Sequence, residues 1–135
     1  MNFSVTILGS GAALPVKGRM PTSQIVNVSE QLFMIDCAEG TQLQVRKYKQ
    51  RLQRINHIFI SHLHGDHYLG LPGLISSMHL LGRKAPVSIY GPKGIKEIMD
   101  VNMKHSQTYL NFELVFHELE KNQTGLLLET SVVEV

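Results

Sequence analysis

The sequence predicts an α/β fold in which one mixed β-sheet carries helices on one face. Three features predict it: short β-branched and aromatic segments near the start, alternation of strand-like and helix-like segments afterwards, and metal-ligating side chains packed just past one strand. Early hairpin strands followed by strand and helix alternation build a mixed sheet whose helices collect on one side.

Taken in order, strands are expected over residues 4–8, 23–28 and 31–36, then a helix over 41–50. Residues 55–61, Ile55-Asn56-His57-Ile58-Phe59-Ile60-Ser61, read as a buried strand. The segment 69–81 reads as a helix, with Pro72 in its first turn and Gly82 past its end. A strand over 87–90, a helix over 93–104 and a strand over 112–119 follow. Two more strands are expected over 125–129 and 131–135, the second stopping with the chain. No repeat, low-complexity segment or linker interrupts the 135 residues, so they read as one unit.

The segment Ser61-His62-Leu63-His64-Gly65-Asp66-His67 places three imidazoles and a carboxylate within six residues. Zinc accepts both ligand types, and a catalytic site keeps one position open for water. His62 and His64, two apart, can lean to the same side as the chain leaves its strand and hold one ion, which frees Asp66 and His67 for a second. A single histidine here is more simply a surface residue, but four such groups together point to a two-metal hydrolase. Strand ends of open α/β sheets are also where ligands bind. Asp36 ends the strand before, where its carboxylate can orient a ligand histidine or cap the helix beginning near Thr41. His57 and His79 fall in apolar patterns and read as hydrogen-bonded structural groups.

Hydrophobic residues make up 43 % and charged residues 18 %, values of a soluble domain that buries a core. No stretch approaches transmembrane length, and residues 1–8 read as a strand and not as a secretory signal, so a cytoplasmic location is expected. The single Cys37 has no partner for an internal disulfide and reads as a reduced core thiol. The net charge of +2 does not by itself announce nucleic-acid binding. Arg46, Lys47, Lys49, Arg51 and Arg54 nevertheless form a run free of acidic residues, which fits either a phosphate footprint or a solvated helix end that gains from cations. Lys17 and Arg19 are better candidates for a phosphate contact, because their loop leaves the first strand on the edge where strand ends and metal turn could converge. Gly9-Ser10-Gly11 lacks the third glycine of a dinucleotide fingerprint, so no nucleotide cofactor is expected. These glycines are read as letting the backbone turn sharply and approach a substrate.

The chain resembles a known family at several points. His-x-His-x-Asp-His is similar to the signature of the metallo-β-lactamase fold. Leu8-Gly9-Ser10-Gly11-Ala12-Ala13-Leu14-Pro15, the Lys17-Gly18-Arg19 loop, Asp36-Cys37-Ala38-Glu39-Gly40-Thr41-Gln42, Leu71-Pro72-Gly73-Leu74 and Tyr90-Gly91-Pro92-Lys93-Gly94 resemble the ribonuclease Z branch. Ala38 departs from the glycine usual there. The resemblance implies the N-terminal half of a four-layer αββα sandwich about twice as long, with residues 1–135 forming the N-terminal portion of that domain. It implies two Zn2+ ions per full-length subunit, held here by His62, His64, Asp66 and His67, with the remaining ligands and a tRNA-gripping arm beyond Val135. Such a pair lowers the pKa of a water to roughly 7, and Asp66 would also accept its proton. The implied substrate is precursor tRNA, trimmed of its 3′ trailer by a homodimer with no membrane association. The 135 residues alone are expected to be inactive. The alternatives are an ester or lactone hydrolase of the same superfamily, and a non-catalytic metal- or RNA-binding fragment.

Overall fold

Six strands lie in sequence order in one sheet, β1-β2-β3-β4-β5-β6. The computed structural model describes residues 2–135. Strands β1 (Phe3–Gly9), β2 (Ser23–Val28) and β3 (Gln31–Ile35) form an antiparallel meander, whereas β4 (Ile55–Phe59), β5 (Val87–Pro92) and β6 (Leu114–Leu119) continue it in parallel. Parallel neighbours need crossovers, and helices supply them. Helix α1 (Thr41–Lys47) links β3 to β4, α2 (Gly65–Tyr68) and α3 (Leu71–Leu80) link β4 to β5, and α4 (Ile95–His105) links β5 to β6. The expected mixed sheet with helices on one face is what forms.

Alternation along the strands explains why one face is covered. Ile25, Met34, Ile58 and Ile89 are successive cross-strand partners, and all four are fully buried. On α3 the buried residues Leu71, Leu74, Ile75 and Met78 recur at helical spacing, and on α4 Ile95 and Met99 do the same. Each such side chain contributes about 1.5–3 kcal/mol on leaving water, so these layers hold the strand ends, and the site on them, in fixed register. The opposite face carries a row of rings. Phe33 stacks on His57 at 5.6 Å, Phe59 on Tyr90 at 4.6 Å and Tyr90 on His117 at 4.4 Å.

Three local expectations are corrected. The helix expected over 41–50 stops at Lys47, because Lys49 adopts φ 54 and the Gln50 amide turns back to the Val45 carbonyl at 2.9 Å. The strands expected over 125–129 and 131–135 reduce to one isolated bridge, Glu129 to Glu134. The tight turn between them leaves only a few backbone hydrogen bonds, such as Val135 N–H to Leu128 O at 2.8 Å, too short a ladder to make a strand. That segment lies against the ring-bearing face, where Val133 and Val135 border a cavity with Phe33 and Phe59. The short helix α2, inside the His-Asp motif, was not expected. Among the described residues no helix is long and apolar enough to cross a membrane.

Candidate metal centre

The parallel strands β3, β4 and β5 deliver their carboxyl ends to one edge, and the site is built there. Past Ile35 the chain turns at Asp36, a non-glycine residue at φ 58 whose amide donates to the Phe59 carbonyl at 2.7 Å. Only 5 % of Asp36 is exposed, so its carboxylate must be paired within the protein. It accepts the Ser61 backbone N–H at 2.8 Å and the Ser61 hydroxyl at 2.9 Å, and it lies 2.7 Å from His67 Nδ1. Of the two readings left open for this residue, orienting a histidine is the one the geometry matches. Helix α1 is instead preceded by Gly40, with no side-chain cap, while the Thr41 hydroxyl donates to the Ala38 carbonyl.

The segment after Asp36 clamps the metal turn. The Cys37 amide donates to the His67 carbonyl at 2.8 Å, and the Gly70 amide donates to the Cys37 carbonyl at 3.0 Å. Cys37 is fully buried, and that burial pushes its thiol up to about 12, as befits an inert core group. At Gly70 the chains approach so closely that a Cβ would fall 1.9 Å from the Ala38 carbonyl oxygen. Gly9 shows the same economy of space, since a Cβ there would fall 1.8 Å from the Pro21 carbonyl oxygen. Gly9 is thus required by another part of the same backbone, a reason that needs no substrate.

Donor atoms of His62, Asp66 and His67 all lie within 4.8 Å of one another. The His62 ring centroid lies 3.8 Å from that of His67 and 4.8 Å from that of His64. The structure thus gathers His62 with Asp66 and His67, while His64 adjoins that group without entering it. A carboxylate only accepts hydrogen bonds, so Asp36 assigns the proton of His67 to Nδ1 and turns the lone pair of Nε2 outward. That Nε2 faces Asp66 Oδ2 at 3.3 Å. A proton on Nε2 satisfies this contact as an ion pair and a metal ion between the two atoms satisfies it as ligation; imidazole plus carboxylate is a donor set that zinc accepts. The residues present therefore fit a metal ion.

A second loop reaches the site. Between β1 and β2 the amides of Ser10 and Gly11 both donate to the Met20 carbonyl, at 3.0 and 2.8 Å. Ala13, at φ 56, points its amide at Asp66 Oδ2 from 2.9 Å. That hydrogen bond is the main reason the Asp66 carboxyl lies below its ordinary range; burial opposes it, and His67 adds a smaller lowering. No sequence motif announces a contribution from Ala13, because the donor is backbone. Lys17 and Arg19 extend from the same loop, both exposed. Among the described residues their side chains make no hydrogen bond to the His-Asp group, and Arg19 borders a cleft toward α1. His57 and His79 take the structural places expected of them, His57 with its Nδ1 3.3 Å from the Tyr90 hydroxyl and His79 with its Nδ1 3.4 Å from the Asn111 amide nitrogen.

Comparison with known proteins matches a family model described as Anti-Pycsar protein Apyc1 over residues 3–121. The chain is 48 % identical over 127 residues to a protein named ribonuclease Z from Bacteroides fragilis, covering 94 % of this chain and 42 % of the relative. The solved structure of human tRNase Z, short form, superposes with a TM-score of 0.79 at 41 % identity, over 84 % of this chain and 44 % of that one. The metallo-β-lactamase fold protein YhfI from Bacillus subtilis, at 18 % identity and a TM-score of 0.66, covers 93 % of this chain and 49 % of its own. The fold is therefore that of the metallo-β-lactamases. The chain spans about half the length of the curated relatives it matches.

Proposed function

Because this chain belongs to the family of the model described as Anti-Pycsar protein Apyc1, shares the metallo-β-lactamase fold and resembles ribonuclease Z at 41–48 % identity, we propose that the protein carrying it is a zinc-dependent phosphodiesterase that removes the 3′ trailer of precursor tRNA. The observation that carries this reading is the convergence of His62, Asp66 and His67 on one point, with Asp36 holding the His67 ring from behind.

In this reading His62, His64, Asp66 and His67 hold zinc, two ions per subunit once ligands from the remainder of the protein join them. Zinc bound there supplies Lewis acidity and lowers the pKa of a water toward neutrality. The chain's own residues do the rest. Asp36 keeps His67 in one tautomer and one orientation, so that no reorganisation is needed when ligands close around substrate. Ala13 fixes one carboxylate oxygen of Asp66, which leaves the other oxygen free to receive a proton from the attacking water. The lowered pKa of Asp66 keeps it ionised through the neutral range, the form that holds a cation. Loop residues Lys17 and Arg19 offer cations to RNA phosphates near the cut, a contact that positions without reading sequence. We read the protein as a cytoplasmic homodimer with no nucleotide cofactor, and residues 1–135 by themselves as catalytically silent.

The test is cleavage by the intact protein of a precursor tRNA with a labelled trailer, with zinc and after chelation. One cut leaving a 3′-hydroxyl, abolished by chelation and by His67→Ala, is the expected result. Hydrolysis of a p-nitrophenyl ester or a lactone without any RNA cleavage would overturn it in favour of the superfamily's ester chemistry.

A further inference from the structure

We propose that the flank of α1 is a track for a single-stranded segment of nucleic acid, leading away from the metal turn. Two clefts adjoin there. One, of about 360 Å3, lies between the end of β1 and α1 and is bordered by Arg19, Lys47 and Tyr48. The other, of about 230 Å3, lies between the β2–β3 turn and the link from α1 to β4, bordered by Lys49, Arg51 and Arg54. Lys47 and Tyr48 line the first and Lys49, Arg51 and Arg54 the second, so the two clefts follow one another along the chain.

Charge and aromaticity both suit a nucleic-acid strand. Five cations border the two clefts against a single acidic residue, Glu30, which pairs with Arg54 at 3.7 Å. Lys49 and Arg51 make no ion pair among the described residues. The cations of a helix end have a plainer use in offsetting the carbonyl dipoles of its last turn, and that accounts for Arg46 and Lys47. It does not account for Lys49, Arg51 and Arg54, which lie past the end of α1 at Lys47. Tyr48 stands 46 % exposed at the first cleft with Lys47 Nζ 5.7 Å from its ring centre, leaving ring surface for a base. A basic groove punctuated by an exposed aromatic ring is how proteins hold single strands without reading their sequence. The loop carrying Arg19 also carries Ala13, whose amide touches Asp66, so one loop connects the first cleft with the turn that bears the His-Asp group.

The inference rests on the nuclease reading only for the identity of the strand, and the two are separable. The intact protein is titrated with a fluorescent 12-nucleotide single-stranded RNA across a salt series, beside its Tyr48→Leu, Tyr48→Phe and Lys49→Gln/Arg51→Gln variants. Hydrolysis of bis(p-nitrophenyl) phosphate monitors the folded active site. Tyr48→Leu and the double variant are expected to weaken binding about tenfold while Tyr48→Phe retains it, because stacking needs a ring and not a hydroxyl. The double variant should also flatten the slope of log K against log salt by about 1.4, two phosphate contacts at ~0.7 each. Unaltered affinity and slope in both, with phosphodiester hydrolysis intact, would overturn the track. So would equal binding of duplex RNA with no effect of Tyr48→Leu, which leaves only diffuse attraction. If the wild-type protein fails to cut precursor tRNA yet shows these losses, the substrate assignment falls and the track stands.

Discussion

Asp36 Oδ2 lies 2.7 Å from His67 Nδ1, so a buried carboxylate at the end of β3 sets the aim of an imidazole thirty-one residues away. Partners of this kind carry about 10- to 100-fold in metal affinity. Asp36→Asn keeps the shape and tolerates φ 58, but with its amide oxygen on the Ser61 N–H it turns an NH2 donor toward His67 Nδ1 and favours the wrong tautomer. Zinc affinity, measured by competition with a chromophoric chelator, is expected to fall by that factor with little loss of fold stability. Asp36→Ala is expected to add a loss of about 1–3 kcal/mol, because the Ser61 amide and hydroxyl then lose their acceptor. An Asp36→Asn protein that binds zinc as tightly as wild type would show that His67 needs no such support.

The hydrogen bond from Ala13 to Asp66 makes a prediction about pH. It is the leading cause of the lowered Asp66 pKa, so removing the donor should raise that pKa toward the ordinary carboxylate value. Replacing Ala13 by lactate through semisynthesis turns its amide into an ester and removes the N–H without proline's fixed φ, and Ala13→Gly keeps the N–H at a φ of 56 that glycine accepts readily. Carbon-13 titration of the Asp66 carboxyl in metal-free protein should show the midpoint moving up in the ester and staying low in Ala13→Gly. Equal midpoints would assign the lowering to the neighbouring histidines instead.

Gly70→Ala tests how tightly the metal turn is packed. The added Cβ meets the Ala38 carbonyl oxygen at 1.9 Å, and backbone cannot swing aside as a flexible side chain could. A loss of about 3 kcal/mol, the upper end for overpacking, should appear as a lower urea midpoint with unchanged slope. Because Gly70 is bonded to Cys37 and Cys37 to the carbonyl of His67, zinc affinity should fall in the same variant.

Which parts of this were legible in the sequence follows from where the information sits. Alternation and helical spacing are side-chain patterns, so the run from Ile55 to Phe59 and the stripe Leu71, Leu74, Ile75, Met78 were readable as written. The residue types of the His-Asp group were readable for the same reason, but their grouping was not: His62 was expected to pair with His64 and instead gathers with Asp66 and His67. What could not be read was backbone: the Ala13 amide on Asp66, the close pass of Gly70 against Ala38, and the short helix α2 that brings Asp66 and His67 round to His62. Asp36 fell between the two. Its residue type allowed a cap or an orienting acceptor, and only the parallel pairing of β3 with β4, which sets Ile35 beside Phe59, brings it level with Ser61 and the metal turn.

His57 supplies a stability prediction with a definite sign. Burial against Phe33 and Tyr90, and secondarily the charge on His117, lower its pKa below 6.5 in the folded protein. The folded state therefore holds fewer protons than the unfolded chain once pH falls below that value, and stability rises with pH wherever the unfolded state binds more. The neutral form's contribution is complete above pH 6.5 and is lost as pH falls through the folded-state pKa. His57→Phe keeps a ring in the stack on Phe33 and removes the titration. Urea midpoints at pH 7.5 and pH 5 should differ less in His57→Phe than in wild type, with the gap between the two proteins opening only on the acid side. Parallel losses in both would mean that acid sensitivity comes from other groups.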